Sequence, residues 1–139
     1  MTLLIVDASV AAKWFLPEDR TKAALSLLDG RFDLHAPDLL WTEVASVFWK
    51  YARKGMLTRV EAEALVRQTL SFPVTTHPCE PLLGDAMSVA LSHDRTVYDC
   101  LYLALAVREG GTLVTEDAKL VRSIATGKLA NRAVLLSSL

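Results

Sequence analysis

"LLIVDASVAAKWFLP", residues Leu3–Pro17, opens with four apolar residues that do not alternate with polar ones. Such a run, ending in the β-branched pair Ile5 and Val6, suits a short strand buried on both faces. Asp7 ends the run, and a helical stretch, "ASVAAKWFL", continues until Pro17 stops it. A strand hidden on both faces belongs to a parallel sheet with helices above and below it. The rest of the chain supplies the pieces. Further strands are expected at "FDLHAP" (32–37), "PVTTHP" (73–78), "TLVT" (112–115) and, last, "RAVLLSSL" (132–139). Helices are expected at 20–30, closed by Gly30, and from Asp38 to about Lys54, closed by Gly55. Another begins at Thr58, where Glu61 three residues on makes a capping box. Three more fall at 82–94, 96–110 and 117–125. The pattern predicts a three-layer α/β/α fold with a central parallel sheet of four or five strands, as one domain over 1–139.

Composition narrows the function classes. The chain has 139 residues, 52% hydrophobic and 22% charged, a globular balance without repeats or low-complexity tracts. Fifteen Lys and Arg face sixteen Asp and Glu, for a net charge of -1, which argues against coating nucleic acid without specificity. Cys79 and Cys100 form no CxxC and are read as free thiols. The first ten residues lack the basic start of a signal peptide, and no apolar run approaches a membrane span. A cytoplasmic protein is expected, with no membrane partner.

"TVYDCLYLALAV", Thr96–Val107, raises a sharper question. A helix apolar nearly all round is buried, yet it carries Asp99, and a buried carboxylate is costly without a partner. Three more acids occupy comparable positions. Asp7 and Asp117 follow strands, where ligands bind in parallel sheets. Glu43 lies about 60° from Leu40, on the edge of an apolar stripe made by Leu40, Val44, Val47, Phe48 and Tyr51. Each acid has an ordinary reading too. Asp7 and Asp117 can cap helices, Asp99 can close a capping-box-like turn with Thr96, and Glu43 can sit on a solvated flank. Glu116 competes with Asp117 as the functional acid. If the four converge, the cluster needs a cation to stay ionised, and all-oxygen ligation suits Mg²⁺ or Mn²⁺. That is the equipment of a metal nuclease. Setting those four acids aside leaves a mildly basic remainder for a phosphate substrate.

Taken in order, "LLIVDASV", "WTEVASVFWK", "TVYDCLYLALA" and "LVTEDAKL" resemble the PIN-domain ribonucleases, and more narrowly the VapC toxins of prokaryotic type II toxin–antitoxin systems. The resemblance runs from the first strand to the helix after Asp117. It implies Mg²⁺- or Mn²⁺-dependent endonucleolytic cleavage of RNA, with catalytic and metal-binding acids falling on Asp7, Glu43, Asp99 and Asp117. Supporting hydroxyls fall on Ser9 and Thr115. It also implies a cognate VapB-like antitoxin whose tail blocks the groove, and a homodimer. Two other readings stay open: a two-metal nuclease acting on DNA or in RNA processing, and a non-catalytic PIN-like binding module.

Other side chains are assigned more plainly. Ser9 bonds Asp7 or a metal water, or satisfies the first helical turn; Thr115 orients Asp117. Lys13, Arg95, Lys119 and Arg122 are read as a solvated face, with phosphate contact as the alternative. His35, His77 and His93 show no metal spacing and are expected in unrelated loops. Trp14, Phe15, Trp41 and Trp49 are expected in the core or a dimer patch.

Overall fold

A computed structural model describes residues 1–139. Five strands run in parallel: β1 (Thr2–Val6), β2 (Phe32–Pro37), β3 (Val74–His77), β4 (Thr112–Thr115) and β5 (Ala133–Leu135). Their spatial order is β3-β2-β1-β4-β5. Seven α-helices cover them: α1 (Ala8–Ala11), α2 (Thr21–Ser26), α3 (Leu40–Arg53), α4 (Arg59–Thr69), α5 (Leu83–His93), α6 (Val97–Glu109) and α7 (Ala118–Ser123). Travel from β1 to β3 goes one way across the sheet, and from β3 to β5 the other. Right-handed crossovers therefore place α1–α4 on one face and α5–α7 on the opposite one. This is the three-layer α/β/α arrangement the sequence pattern predicts.

The core sits on both faces of β1 and β4. Ile5, Val6, Leu113 and Val114 are fully buried, as β-branched and leucine-rich parallel strands should be. Helix α6 has seven consecutive buried residues, Cys100–Ala106, because the sheet lies on one side of it and α5 on the other. Gly111, between α6 and β4, permits a close approach. A Cβ there would overlap Leu3 Cδ2 and lie 3.0 Å from Leu3 O.

Local structure departs from the sequence reading in two places near the site. The helix expected to reach Pro17 is a single α-turn, α1, that tightens into a 3₁₀ turn at Ala12–Trp14. Trp14 anchors that turn by donating its indole N–H to Ala24 O at 2.8 Å. Asp38 does not open α3, which starts at Leu40 with no side-chain cap. Its N–H donates to His77 O (2.7 Å) and its carboxylate accepts from Cys79 N (3.3 Å), so it ties the ends of β2 and β3 together instead. The Thr58–Glu61 capping box is present in full. Both cysteines are free.

Candidate active site

The reversal of travel across the sheet leaves a crevice at the carboxyl ends of β1 and β4, and open α/β sheets bind ligands at such a point. Asp7 and Asp117 stand there, each directly after or close behind its strand. Both cap helices. Asp7 Oδ1 accepts from Val10 N at 3.3 Å, and Asp117 Oδ1 from Leu120 N at 3.0 Å. Capping occupies one oxygen of each, and the other turns inward. Asp7 Oδ2 takes the Thr115 hydroxyl, and Asp117 Oδ2 takes Arg95 Nη2 at 2.8 Å.

Glu43 and Asp99 arrive on the first turns of α3 and α6. All four acids thus sit at helix starts, where the backbone N–H groups and the dipole favour negative charge. Glu43 Oε1 accepts from the Tyr102 hydroxyl at 2.6 Å, which fixes a side chain the sequence leaves on the edge of a stripe. Tyr102 is one helical turn after Asp99 and is buried. Thr96 caps α6 by accepting Asp99 N at 3.1 Å. The Asp99 carboxylate does not complete the box. It lies 3.2 Å from Arg95 Nη2, the same atom that holds Asp117. Hydrogen bonds and ion pairs therefore join the acids in two pairs, Asp7 with Asp117 through Thr115, and Asp99 with Asp117 through Arg95.

Charge completes the connection. Burial pushes Asp7 from 3.8 up to about 6; the Ser9, Thr115 and Val10 bonds oppose this, and the Glu43 charge adds to it. Burial also raises Glu43, with the Asp99 charge reinforcing it and the Tyr102 bond pulling the other way. Burial and the Glu43 carboxylate together hold Tyr102 far above the usual phenol range, so it stays a donor. Like-charge repulsion thus couples Glu43 to both Asp7 and Asp99, and a cation placed among the acids would relieve it. The donor set, carboxylate oxygens with no nitrogen or sulfur, fits Mg²⁺ or Mn²⁺.

The supporting residues need revision. Ser9 donates to Asp7 Oδ1 and accepts Glu116 N at 3.0 Å, so it bridges the two strand ends. Thr115 does more for Asp7 than for Asp117: its hydroxyl donates to Asp7 and accepts only the Asp117 N–H, at 3.1 Å. Lys13 is not on a solvated face. It is buried, 3.2 Å from Glu18 and 3.6 Å from Glu116. Arg20 lies 2.8 Å from the same Glu116 oxygen. With two cations on its carboxylate, Glu116 has a different environment from Asp117. Arg95 also leaves the solvated set, being the cation between Asp99 and Asp117. Lys119 and Arg122 are exposed, as expected.

Tyr102 and Arg20 escaped the sequence reading. Tyr102 carried a usable signal, since a tyrosine in an all-buried helix needs a partner for its hydroxyl. Arg20 carried none, because it meets Glu116 across 96 residues. The histidines do not lie in unrelated loops. His35 and His77 lie on neighbouring strands with ring nitrogens 2.7 Å apart, and His93 ends α5, with Nδ1 3.1 Å from Ser123 O. Among the aromatics, Trp14, Phe15 and Trp41 cluster around Phe72, while Trp49 is exposed.

Comparison with known proteins places this geometry in context. The family model described as "PIN domain" matches residues 4–125. The chain is 40% identical over 119 residues to "Ribonuclease VapC3" of Pyrobaculum aerophilum, covering 84% of this chain and 91% of that one. The crystal structure of PAE2754 from the same organism superposes with a TM-score of 0.71 at 26% identity, over 99% of this chain and 91% of that one. A toxin–antitoxin complex from Klebsiella pneumoniae matches with a TM-score of 0.68 at 17% identity, over 96% of this chain and 97% of that one, a likeness of fold.

Proposed function

We propose, from the premise that the chain belongs to the PIN-domain family, that it is a metal-dependent endoribonuclease acting as the toxin of a toxin–antitoxin pair. The observation that supports this reading is the set of links among Asp7, Glu43, Asp99 and Asp117, from four separate segments: Thr115 joins Asp7 to Asp117, Arg95 joins Asp99 to Asp117, and like charge couples Glu43 to Asp7 and Asp99. A relative with 40% identity bears the name ribonuclease, which supports hydrolysis of RNA rather than DNA.

Asp7, Asp99 and Asp117 would hold Mg²⁺ or Mn²⁺, with Glu43 beside them. A divalent cation there supplies a water of lowered pKa and stabilises charge on the scissile phosphate. The protein's own groups set the stage. Ser9 and Thr115 fix the Asp7 oxygens, and Tyr102 aims Glu43 into the crevice. Glu43, raised by burial, is suited to accept a proton from an attacking water. Arg95 keeps Asp99 and Asp117 together and turns to phosphate when a cation takes its place. No histidine lies among these contacts to promote attack by a 2′-hydroxyl, so the products are a 3′-hydroxyl and a 5′-phosphate.

The partner is an antitoxin that presents an Arg or Lys to the acids, in keeping with the toxin–antitoxin complex of the same fold. The protein works in the cytoplasm as a homodimer, with 1–139 as one PIN-like unit; no helix is long and apolar enough to cross a membrane. Incubation of the purified chain with single-stranded RNA tests the reading. Cleavage should require Mg²⁺ or Mn²⁺, stop in EDTA and vanish in Asp99→Asn. Undiminished cutting in EDTA, or 2′,3′-cyclic phosphate ends, refutes it.

A further inference from the structure

A second group of ligating side chains lies away from the acid crevice. Strand register creates it. Pro37 pairs with His77 and His35 with Thr75, so His35 and His77 sit diagonally on one face of neighbouring strands. Their rings stack with centroids 5.0 Å apart, and His35 Nδ1 is 2.7 Å from His77 Nε2. The end of α6 brings Glu109, whose Oε1 is 3.8 Å from His77 Nε2. One ligand atom from each of His35, His77 and Glu109 falls within 4.8 Å of the others. Asp99 begins the same helix ten residues earlier, about 15 Å away at 1.5 Å per residue.

We propose that His35, His77 and Glu109 form a Zn²⁺ site, separate from the nuclease crevice, that clips the edge strand β3 to β2 and to the end of α6. Two imidazoles and one carboxylate are a zinc donor set, and they leave a fourth position for water. Mg²⁺ prefers all-oxygen ligation, so the two sites select different ions. Nitrogens bound tetrahedrally at about 2.0–2.1 Å stand roughly 3.3 Å apart. Loading therefore parts the rings by about half an ångström.

Three further features fit the proposal. His35 Nε2 is buried without a hydrogen bond, although Asp33 Oδ2 is 3.0 Å away. A small ring rotation on coordination aligns that N–H with Asp33, the carboxylate–histidine–metal relay that fixes a ligand's tautomer. Arg108 Nη2 is 3.2 Å from His77 Nδ1. Without an ion, Arg108 donates to Nδ1 and the His77 proton sits on Nε2, facing His35. With Zn²⁺ on Nε2 that proton moves to Nδ1, and Arg108, 39% exposed, swings to solvent. Glu109 at the carboxyl end of α6 opposes the helix dipole, a position that a bound cation makes favourable.

Equilibrium dialysis of the full chain against Zn²⁺, with metal counted per protein, tests the site. The background is Asp7→Asn/Asp99→Asn, which disables the acid crevice. That protein should retain one Zn²⁺ per chain, and Co²⁺ in its place should give the visible absorption of a tetrahedral site. Adding His77→Gln should weaken binding at least tenfold, and adding Glu109→Gln should weaken it less. Glu109 is at a partly exposed helix end, so its variant reports even if His77→Gln fails to fold. Absence of Zn²⁺ from the background protein overturns the proposal, as does binding that survives both substitutions.

Discussion

Replacing Asp7 by Asn should stabilise the protein when no divalent ion is present, although it abolishes cleavage. Burial lifts the Asp7 carboxyl from 3.8 to about 6, so the folded chain holds its charged form at a penalty. A shift of about two pK units corresponds to about 3 kcal/mol well above pH 6. The sign follows from the raised pKa. The protonated form contributes stability fully below about pH 4, and that contribution is lost as pH rises through about 6. Asn removes the charge but not the whole network. Its oxygen still accepts from Ser9, while its NH₂ meets the Thr115 hydroxyl, which now donates to Asp7 and also accepts Asp117 N. That lost bond costs about 1–2 kcal/mol, leaving a net gain of about 1–2 kcal/mol at pH 8. For a chain of this length the gain is a rise of roughly 3–8 °C in Tm. The measurement is a series of thermal melts in EDTA from pH 4 to 8. The advantage of Asp7→Asn should grow between about pH 4 and 6, level off above pH 6, and vanish or reverse at pH 4. Saturating Mg²⁺ should stabilise the wild type by about 2.7 kcal/mol at one hundred times Kd, raise its Tm, and so invert the order at pH 8. A variant that is less stable than wild type in EDTA at pH 8, or a difference independent of pH, would refute the reasoning.

Other substitutions test neighbouring links. Tyr102→Phe removes the hydrogen bond that lowers Glu43 and should cost about 1–2 kcal/mol; the acid limb of the pH–rate profile should move to higher pH, and an unmoved limb argues against Glu43 as the proton acceptor. Arg95→Ala leaves Asp99 and Asp117 without their shared cation; it should lower Tm in EDTA yet tighten Mg²⁺ binding in a titration, and weaker binding contradicts the competition between guanidinium and metal. Asp99→Asn should abolish RNA cleavage, blunt the Mg²⁺-induced rise in Tm and still fold; normal cutting removes it from the site. Gly111→Ala drives a methyl into Leu3 and should destabilise by about 1–3 kcal/mol, read by denaturant melts; an unchanged midpoint shows that β1 has slack at that point.

The layers of the fold were legible because their signals are local. "LLIV" reads as a doubly buried strand within four residues, and the glycines and prolines that punctuate the chain mark most element ends. What the pattern missed depends on partners far off in sequence. Asp38 looked like a helix cap because caps are defined by the next three residues. Its carboxylate instead follows Cys79, 41 residues away, once β2 and β3 pair. The same parallel pairing defeated the reading of the histidines. Metal spacing is recognised within one element, whereas His35 and His77 meet only through register, 42 residues apart.

The acid site shows the same division more sharply, and it explains why four carboxylates were easier to find than their partners. An acid at the end of an apolar strand or inside an apolar helix conflicts with its surroundings, and the conflict is visible in a line of sequence. A cation that resolves the conflict is in accord with any polar stretch and stands out nowhere. Lys13 and Arg95 therefore read as solvated and Arg20 draws no notice, although Arg95 holds Asp99 and Asp117 and the other two hold the neighbouring Glu116. Their distribution has a functional edge. Glu116 carries two cations and a backbone N–H anchored on Ser9, an arrangement that leaves little reason for a metal to visit it. Asp117, one residue later, shares a single, partly exposed guanidinium with Asp99. If that difference in pairing decides which acid serves the metal, Glu116→Gln should leave Mg²⁺ affinity within about twofold while loosening Arg20 and Lys13. Asp117→Asn should weaken it tenfold or more, the scale of about 1.4 kcal/mol for one lost ligand charge. Titrations of Mg²⁺ followed by Tm separate the two, and equal losses from both variants would show that the adjacent acids share the role.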